Sequence, residues 1–207
     1  DKQIAVPELA AVRVEGVTRS AFLVRASLAA GAVLGAGAVT PFVGKALAQG
    51  GDVDVLNYAL TLEYLEADFY RQALKALDLR GEVKDLAEEI GKNEDEHVDA
   101  LTAAIESAGG TPAEKPRFDF GRAFAGESSF LKTANTLEDT GVSAYNGAAP
   151  MIQSTDVLAS AGAIVQVEAR HAALVRLQRD KDPAPLAFDK ASEMAEVLEA
   201  VKPFIAS

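Results

Sequence analysis

The sequence contains no cysteine and only two histidines among its 207 residues. Without cysteine, the chain has neither a disulfide framework nor a cysteine-ligated iron–sulfur domain of its own. Runs of β-branched residues are also scarce, whereas alanine and leucine are abundant. This composition favours helices over strands, so the sequence predicts an all-α protein.

Both histidines follow a glutamate by three positions, since Glu94 precedes His97 and Glu168 precedes His171. On a helix, positions i and i+3 lie on one face, about one turn apart. Each pair can therefore offer a carboxylate oxygen and an imidazole nitrogen to the same metal ion. Two such pairs predict a site for two metal ions.

Each Glu-x-x-His pair is preceded by a further glutamate that has a tyrosine two helical turns after it. In the first copy, Glu63 is followed seven residues later by Tyr70, and in the second copy Glu138 is followed at the same spacing by Tyr145. The further glutamate lies 31 positions before the paired glutamate in one copy and 30 positions before it in the other. This repeat predicts two copies of one helical hairpin, which together supply the carboxylates that a two-metal site between four helices requires.

Glu66 is a rival to Glu63 because it lies one helical turn further along the same segment. Seven residues after Glu66 stands Ala73, whereas Glu63 shares with Glu138 both the preceding Thr-Leu and the following tyrosine. We therefore choose Glu63 as the ligand. We expect four acidic residues on the solvated surface: Glu66, Glu88, Glu89 and Asp99.

Residues 52–179 resemble the ferritin-like di-iron carboxylate superfamily, with a ligand set similar to that of bacterioferritin. The resemblance implies that the two paired glutamates bridge the metal ions and that each ion is capped by the further glutamate and the histidine of one hairpin. The implied metal ligands are Glu63, Glu94, His97, Glu138, Glu168 and His171. It also implies a catalytic role for Tyr70 and Tyr145, which would hydrogen-bond near the ligands.

The resemblance implies two iron ions as cofactors and a ferroxidase-like reaction in which Fe(II) is oxidised by oxygen or peroxide. Two manganese ions are the alternative, because carboxylate and imidazole ligands suit both metals, and the activity would then be catalase-like disproportionation of peroxide. A rubrerythrin-type enzyme is disfavoured, since Gly141 stands one turn after Glu138 where such enzymes carry an extra carboxylate. A homo-oligomer is expected.

A third hypothesis is a non-enzymatic structural or stress-protective envelope protein. It is kept open because residues 185–205 resemble the tail of bacterial ferritin-like proteins related to plant desiccation-related proteins. From residue 51 onward the chain has 15 Lys and Arg against 28 Asp and Glu. Such an acidic body suits cations as partners and disfavours nucleic acid.

Helical periodicity predicts four long helices, at residues 52–79, 82–108, 128–149 and 154–179, and a short fifth at 190–202. The predicted fold is a ferritin-like four-helix bundle with a long crossover between the second and third helices. We expect Asp52 to cap the first helix and the third helix to be kinked or to end near Asn146. The crossover phenylalanines are expected to pack against the bundle: Phe118, Phe120 and Phe124.

The first 50 residues, called the leader below, differ in character from the rest of the chain. Residues 26–44 carry no charged side chain, and 19 residues in a helix reach about 28 Å, close to the thickness of a bilayer core. Residues 18–23 resemble a twin-arginine export signal, and residues 46–48 resemble a signal-peptidase site. We therefore expect an export signal or anchor with a hydrophobic helix at residues 1–50, and the bundle with its C-terminal helix at residues 51–207.

This organisation predicts an exported protein in the cell envelope, outside the cytoplasmic membrane. Residues 19–48 would associate with the membrane or with an envelope complex and would keep the metal-binding body anchored there. The alternative is a leader that is cleaved in cells before Gln49.

Overall fold

The computed structural model describes residues 51–206. Five α-helices follow one another in this range: α1 (Asp52–Ala76), α2 (Gly81–Ser107), α3 (Glu127–Ala148), α4 (Thr155–Leu177) and α5 (Met194–Val201). Between residues 51 and 206 the nearest approach to a strand is an isolated antiparallel bridge that pairs Phe118 with Ile205. The all-α prediction is confirmed, whereas the leader and its predicted hydrophobic helix lie outside the described residues.

The four long helices form two hairpins. Residues 77–80 join α1 to α2 and residues 149–154 join α3 to α4, and such short connections make the joined helices neighbours in space. The hairpins meet through contacts of α1 with α3 and of α2 with α4. Residues 108–126 form the long crossover, so the predicted four-helix bundle is confirmed. No helix in the described range combines the length and the apolar character needed to cross a membrane.

Two helices end within two residues of where the sequence signals place their ends. α2 ends just before Gly109, and the Gly110 amide donates to the Ile105 carbonyl at 2.9 Å, which closes the last turn. α3 continues past Asn146 to Ala148 and then tightens into a 3₁₀ turn that contains Pro150.

The predicted cap by Asp52 is wrong, because Asp52 is itself the first residue of α1 and makes no capping hydrogen bond there. Its carboxylate accepts hydrogen bonds from the backbone amides of Gln153 at 2.6 Å and Ser154 at 2.7 Å. Asp52 therefore fastens the start of α1 to the loop that leads into α4.

An aromatic cluster fills one part of the core. Phe69 of α1 has no exposed surface, and its ring lies 5.1 Å from that of Phe120 and 5.4 Å from those of Phe124 and Phe130. Phe118 is buried beside Phe120. The crossover therefore packs on the bundle through its phenylalanines, as predicted.

The C-terminal segment packs against α3. Val197 and Val201 of α5 are buried, and the Ser192 amide donates to the Ser143 carbonyl at 3.0 Å. At Gly147 a Cβ atom would lie 1.9 Å from the Ser192 carbonyl oxygen. Only glycine therefore permits the segment before α5 to approach α3 this closely.

Candidate metal centre

The six side chains that the sequence singles out as ligands converge at the centre of the bundle. Each of the four long helices contributes: Glu63 from α1, Glu94 and His97 from α2, Glu138 from α3, and Glu168 and His171 from α4. The four glutamates have no exposed surface, and both histidines are buried. Helical geometry brings each pair together, as shown by the 3.1 Å between His97 Nδ1 and Glu94 Oε2.

The six side chains form two overlapping groups of four, and within each group one ligand atom per residue lies within 4.8 Å of the others. Glu94 and Glu168 belong to both groups. The first group is completed by Glu63 and His97, and the second is completed by Glu138 and His171. The cluster has therefore the composition and spacing to hold metal ions.

Several ligand atoms lie close together without forming hydrogen bonds, which supports this fit. Glu94 Oε1 lies 2.9 Å from His171 Nδ1, and Glu168 Oε1 lies 3.0 Å from His97 Nδ1. Nevertheless, within residues 51–206 Glu94 Oε1, His171 Nδ1 and both oxygens of Glu168 lack a hydrogen-bond partner, as does Oε2 of Glu138. A buried polar atom without a hydrogen-bond partner lowers the stability of the fold unless another group binds it. Metal ions between the carboxylates and imidazoles would satisfy them.

The electrostatics of the cluster differ from one carboxyl group to the next. Burial, together with the charge of Glu94, raises the pKa of Glu168 to about 8, and burial also raises the pKa values of Glu63 and Glu138. Burial acts on Glu94 in the same direction, but the imidazoles of His171 and His97, which lie close to its carboxylate, outweigh burial and lower the pKa of Glu94 to about 2.

The pKa values of both imidazoles are raised, whereas that of an isolated buried histidine would be lowered. Burial lowers their pKa values, but the surrounding carboxylates more than compensate and raise the pKa of His97 to about 12 and that of His171 to about 10. Without metal, the cluster therefore retains protons that bound metal ions would have to displace.

The two tyrosines hydrogen-bond across the hairpins. The Tyr70 hydroxyl, on α1, donates to Glu138 Oε1 on α3, and the Tyr145 hydroxyl, on α3, donates to Glu63 Oε1 on α1. Burial and the neighbouring carboxylates raise both phenol pKa values well above the ordinary value, so both hydroxyls stay protonated donors. The tyrosine of each hairpin thus orients a glutamate of the other hairpin: Tyr70 orients Glu138, and Tyr145 orients Glu63.

Glu66 was misplaced by the sequence analysis. It was expected on the surface, but only 3% of it is exposed, whereas Glu88, Glu89 and Asp99 are exposed as predicted. The sequence did contain a signal for burial, because Glu66 is three residues from Glu63 and four from Tyr70 and so shares their helix face.

Asn93 is a second residue that sequence reasoning missed. Its side-chain amide lies 3.0 Å from His171 Nε2, the ring nitrogen opposite the one that faces the carboxylates. A polar partner at that nitrogen holds the ring in orientation, with Nδ1 directed at the carboxylates. The equivalent position in the second hairpin, immediately before its paired glutamate, is Val167, whose side chain cannot hydrogen-bond.

A surface pocket of about 370 Å³ between α2 and α4 reaches both histidines. Its lining consists of Glu89, Asn93, Glu96, His97, Val167, Arg170, His171 and Leu174. The pocket therefore borders the imidazole side of the centre.

Comparison with known proteins agrees with this geometry. A family model described as a ferritin-like domain matches residues 51–181. This segment is more than half of the chain and contains all four long helices with every residue of the centre. A search of curated proteins found no match.

Proposed function

Because the chain belongs to the ferritin-like domain family, we propose that it binds two metal ions between its four long helices and oxidises Fe(II) with oxygen or peroxide. The observation that carries the proposal is that Glu94 and Glu168 belong to both groups of four. Two shared carboxylates are what a pair of adjacent ions needs for bridging. A single ion would leave the second group of donors buried and unsatisfied.

The ligand chemistry supports iron. Four carboxylates and two imidazoles form a donor set dominated by hard oxygen, which suits iron and manganese and stabilises the more highly charged ferric product. When bound, two Fe(II) ions supply two electrons, which with two protons reduce peroxide to two water molecules or oxygen to peroxide. The four carboxylate charges balance those of two divalent ions, so a loaded centre would be neutral before oxidation.

The residues around the ligands would prepare the centre for this reaction. The tyrosine hydroxyls hold Glu138 and Glu63 in place before metal arrives, which reduces the reorganisation that binding requires. Asn93 does the same for His171. Burial of the ligands keeps bulk water away from the reacting ions, and the α2–α4 pocket is the route by which Fe(II) and the oxidant would enter.

An anaerobic titration with Fe(II) tests the proposal through the number of ions bound per chain. We expect two for the unchanged protein, one for Glu63→Ala, which removes a ligand of one group, and none for Glu94→Ala, which removes a ligand of both. Glu88→Ala is the matched control, because Glu88 is exposed on α2 and forms an ion pair with Lys84 at 3.2 Å. Circular dichroism verifies that each variant is helical.

Addition of oxygen or peroxide to the loaded protein should then produce ferric absorbance in step with consumption of the oxidant. Failure to bind iron would contradict the proposal. Tight binding of manganese, with peroxide disproportionated and no net oxidation of iron, would replace it with the catalase-like alternative.

A further inference from the structure

Glu66 is a buried carboxylate outside the predicted ligand set. It lies one turn after Glu63 on α1, and only 3% of it is exposed. The charges that act on it most strongly are those of four other carboxylates: Glu168, Glu138, Glu94 and Glu63. A buried acid among acids destabilises the fold unless a proton or a cation neutralises it, so its position calls for a function.

Gly141 of α3 provides the space that Glu66 occupies. A Cβ atom at Gly141 would lie 3.3 Å from Glu66 Oε1, 3.4 Å from Glu66 Oε2 and 3.5 Å from Glu168 Oε2. The Glu66 carboxylate therefore fills the place of a missing side chain and borders the shared ligand Glu168. Glu168 Oε2 is itself buried and, within the described part of the chain, without a hydrogen-bond partner.

Glu66 and Gly141 occupy equivalent positions in the two hairpins, each three residues after the further glutamate of its copy. One hairpin thus has a carboxylate where the other has no side chain. Glu66 belongs to neither group of four, so its carboxylate lies beside the donor cluster and not within it.

The charge balance of the centre indicates when the Glu66 carboxylate would bind the metal ions. The four carboxylates of the two groups already match two divalent ions, so a fifth negative charge is favoured only after the ions have gained charge. We propose that Glu66 is a fifth carboxylate ligand of the centre, which engages from the Gly141 side when both ions are trivalent and holds them in that state. This inference rests on the function proposed above.

The isosteric variant Glu66→Gln tests it, because the substitution removes the charge and keeps the size. Anaerobic titration with Fe(II) should still give two ions per chain. After stoichiometric oxidation with peroxide, we expect the variant to release Fe(III) to a ferric chelator at least tenfold faster than the unchanged protein. If that loss reflects equilibrium affinity for Fe(III) over Fe(II), the midpoint potential rises by about 59 mV for each tenfold change. Glu88→Gln, with an exposed carboxylate on α2, is the control and should change neither quantity.

A swap variant tests whether the location of the charge or the identity of the residue matters. Glu66→Gly combined with Gly141→Glu moves the carboxylate to the equivalent position of the other hairpin and opens the space opposite it. We expect this double variant to recover slow release of Fe(III). It also supplies the test if Glu66→Gln fails to fold.

The outcomes separate this inference from the proposed function. If the unchanged protein binds no iron, the proposed function fails and this inference fails with it. If the unchanged protein binds and oxidises two Fe(II) ions while Glu66→Gln retains Fe(III) equally well, only the role of Glu66 is refuted. Loss of Fe(II) binding in Glu66→Gln would also refute it, because Glu66 would then be a ligand in both oxidation states.

Discussion

Raising the pH should destabilise the metal-free protein, and the buried Glu168 carboxyl is one of the groups responsible. Its pKa is about 8 in the folded chain against an ordinary value of 4.5. A carboxyl group whose pKa is raised by folding contributes stability that is fully present below pH 4.5 and is lost as the pH rises through 8. His171, with its pKa raised from 6.5 to about 10, acts in the same direction above pH 6.5.

The pKa shift of Glu94 makes stability depend on pH in the opposite direction. Its pKa is lowered to about 2, so its contribution is present above pH 4.5 and is lost on acidification below that value. Together these shifts place the maximum stability of the metal-free protein near pH 5.

The size of the effect follows from proton linkage. One proton retained on folding changes the free energy of unfolding by at most about 1.4 kcal/mol per pH unit. Between pH 5 and pH 8, Glu168 alone can therefore remove at most about 4 kcal/mol. A domain of this size is typically stable by about 5–15 kcal/mol, so the loss would be a large fraction of the total.

The assay is urea unfolding in the presence of a chelator at pH 5, 6, 7 and 8, followed by circular dichroism. We expect the midpoint to fall with pH in the unchanged protein and to fall less in Glu168→Gln, which cannot titrate at that position. Saturation with Mn(II) should abolish the decline, because bound ions displace the protons, and should add about 2.7 kcal/mol per site at a hundred times the dissociation constant. A metal-free stability that is flat or rises between pH 5 and pH 8 would refute the reasoning.

Two substitutions test the packing and the hydrogen bonding around the centre. Gly147→Ala puts a methyl group against the Ser192 carbonyl, so we expect it to lower the free energy of unfolding in urea by about 1–3 kcal/mol and to increase proteolysis of residues 181–193. Gly162→Ala is the control, because a Cβ atom there meets nothing within 4 Å. Equal proteolysis of the two variants would contradict the close approach. Tyr145→Phe removes the donor to Glu63 Oε1 and should weaken Mn(II) binding about 10- to 100-fold in titration calorimetry, whereas unchanged affinity would show that this hydrogen bond does not support the ligand.

The core of the centre could be predicted from the sequence because helical spacing alone determines it. Glu94 and His97 are three residues apart, and that separation places both side chains on one face whatever the rest of the fold does. The repeat then identified Glu63 and Glu138 as the carboxylates of the other two helices, and the structure brings all of them to one place.

The features that were mispredicted depend on contacts between distant segments. Glu66 was set aside because Glu63, and not Glu66, shares its flanking residues with Glu138. The sequence did not show that Gly141, on another helix, makes room for the Glu66 carboxylate. Asp52 has the composition of a cap, but its partners are 101 and 102 residues away in the chain. Local patterns report which face a residue occupies and cannot report which distant group meets it there.

The near-symmetry of the two hairpins shows what joining them in one chain makes possible. Two copies of a single hairpin, related by a twofold axis, would present the same glutamates, tyrosines and histidines to a common centre, but every position would then occur twice. Glu66 would face a second Glu66 in place of Gly141, and two carboxylates would compete for a space that holds one. A homodimer of hairpins would therefore have to give up either the charge or the room for it. Covalent linkage removes that constraint, because the two halves can differ at a single position and leave the shared ligands untouched.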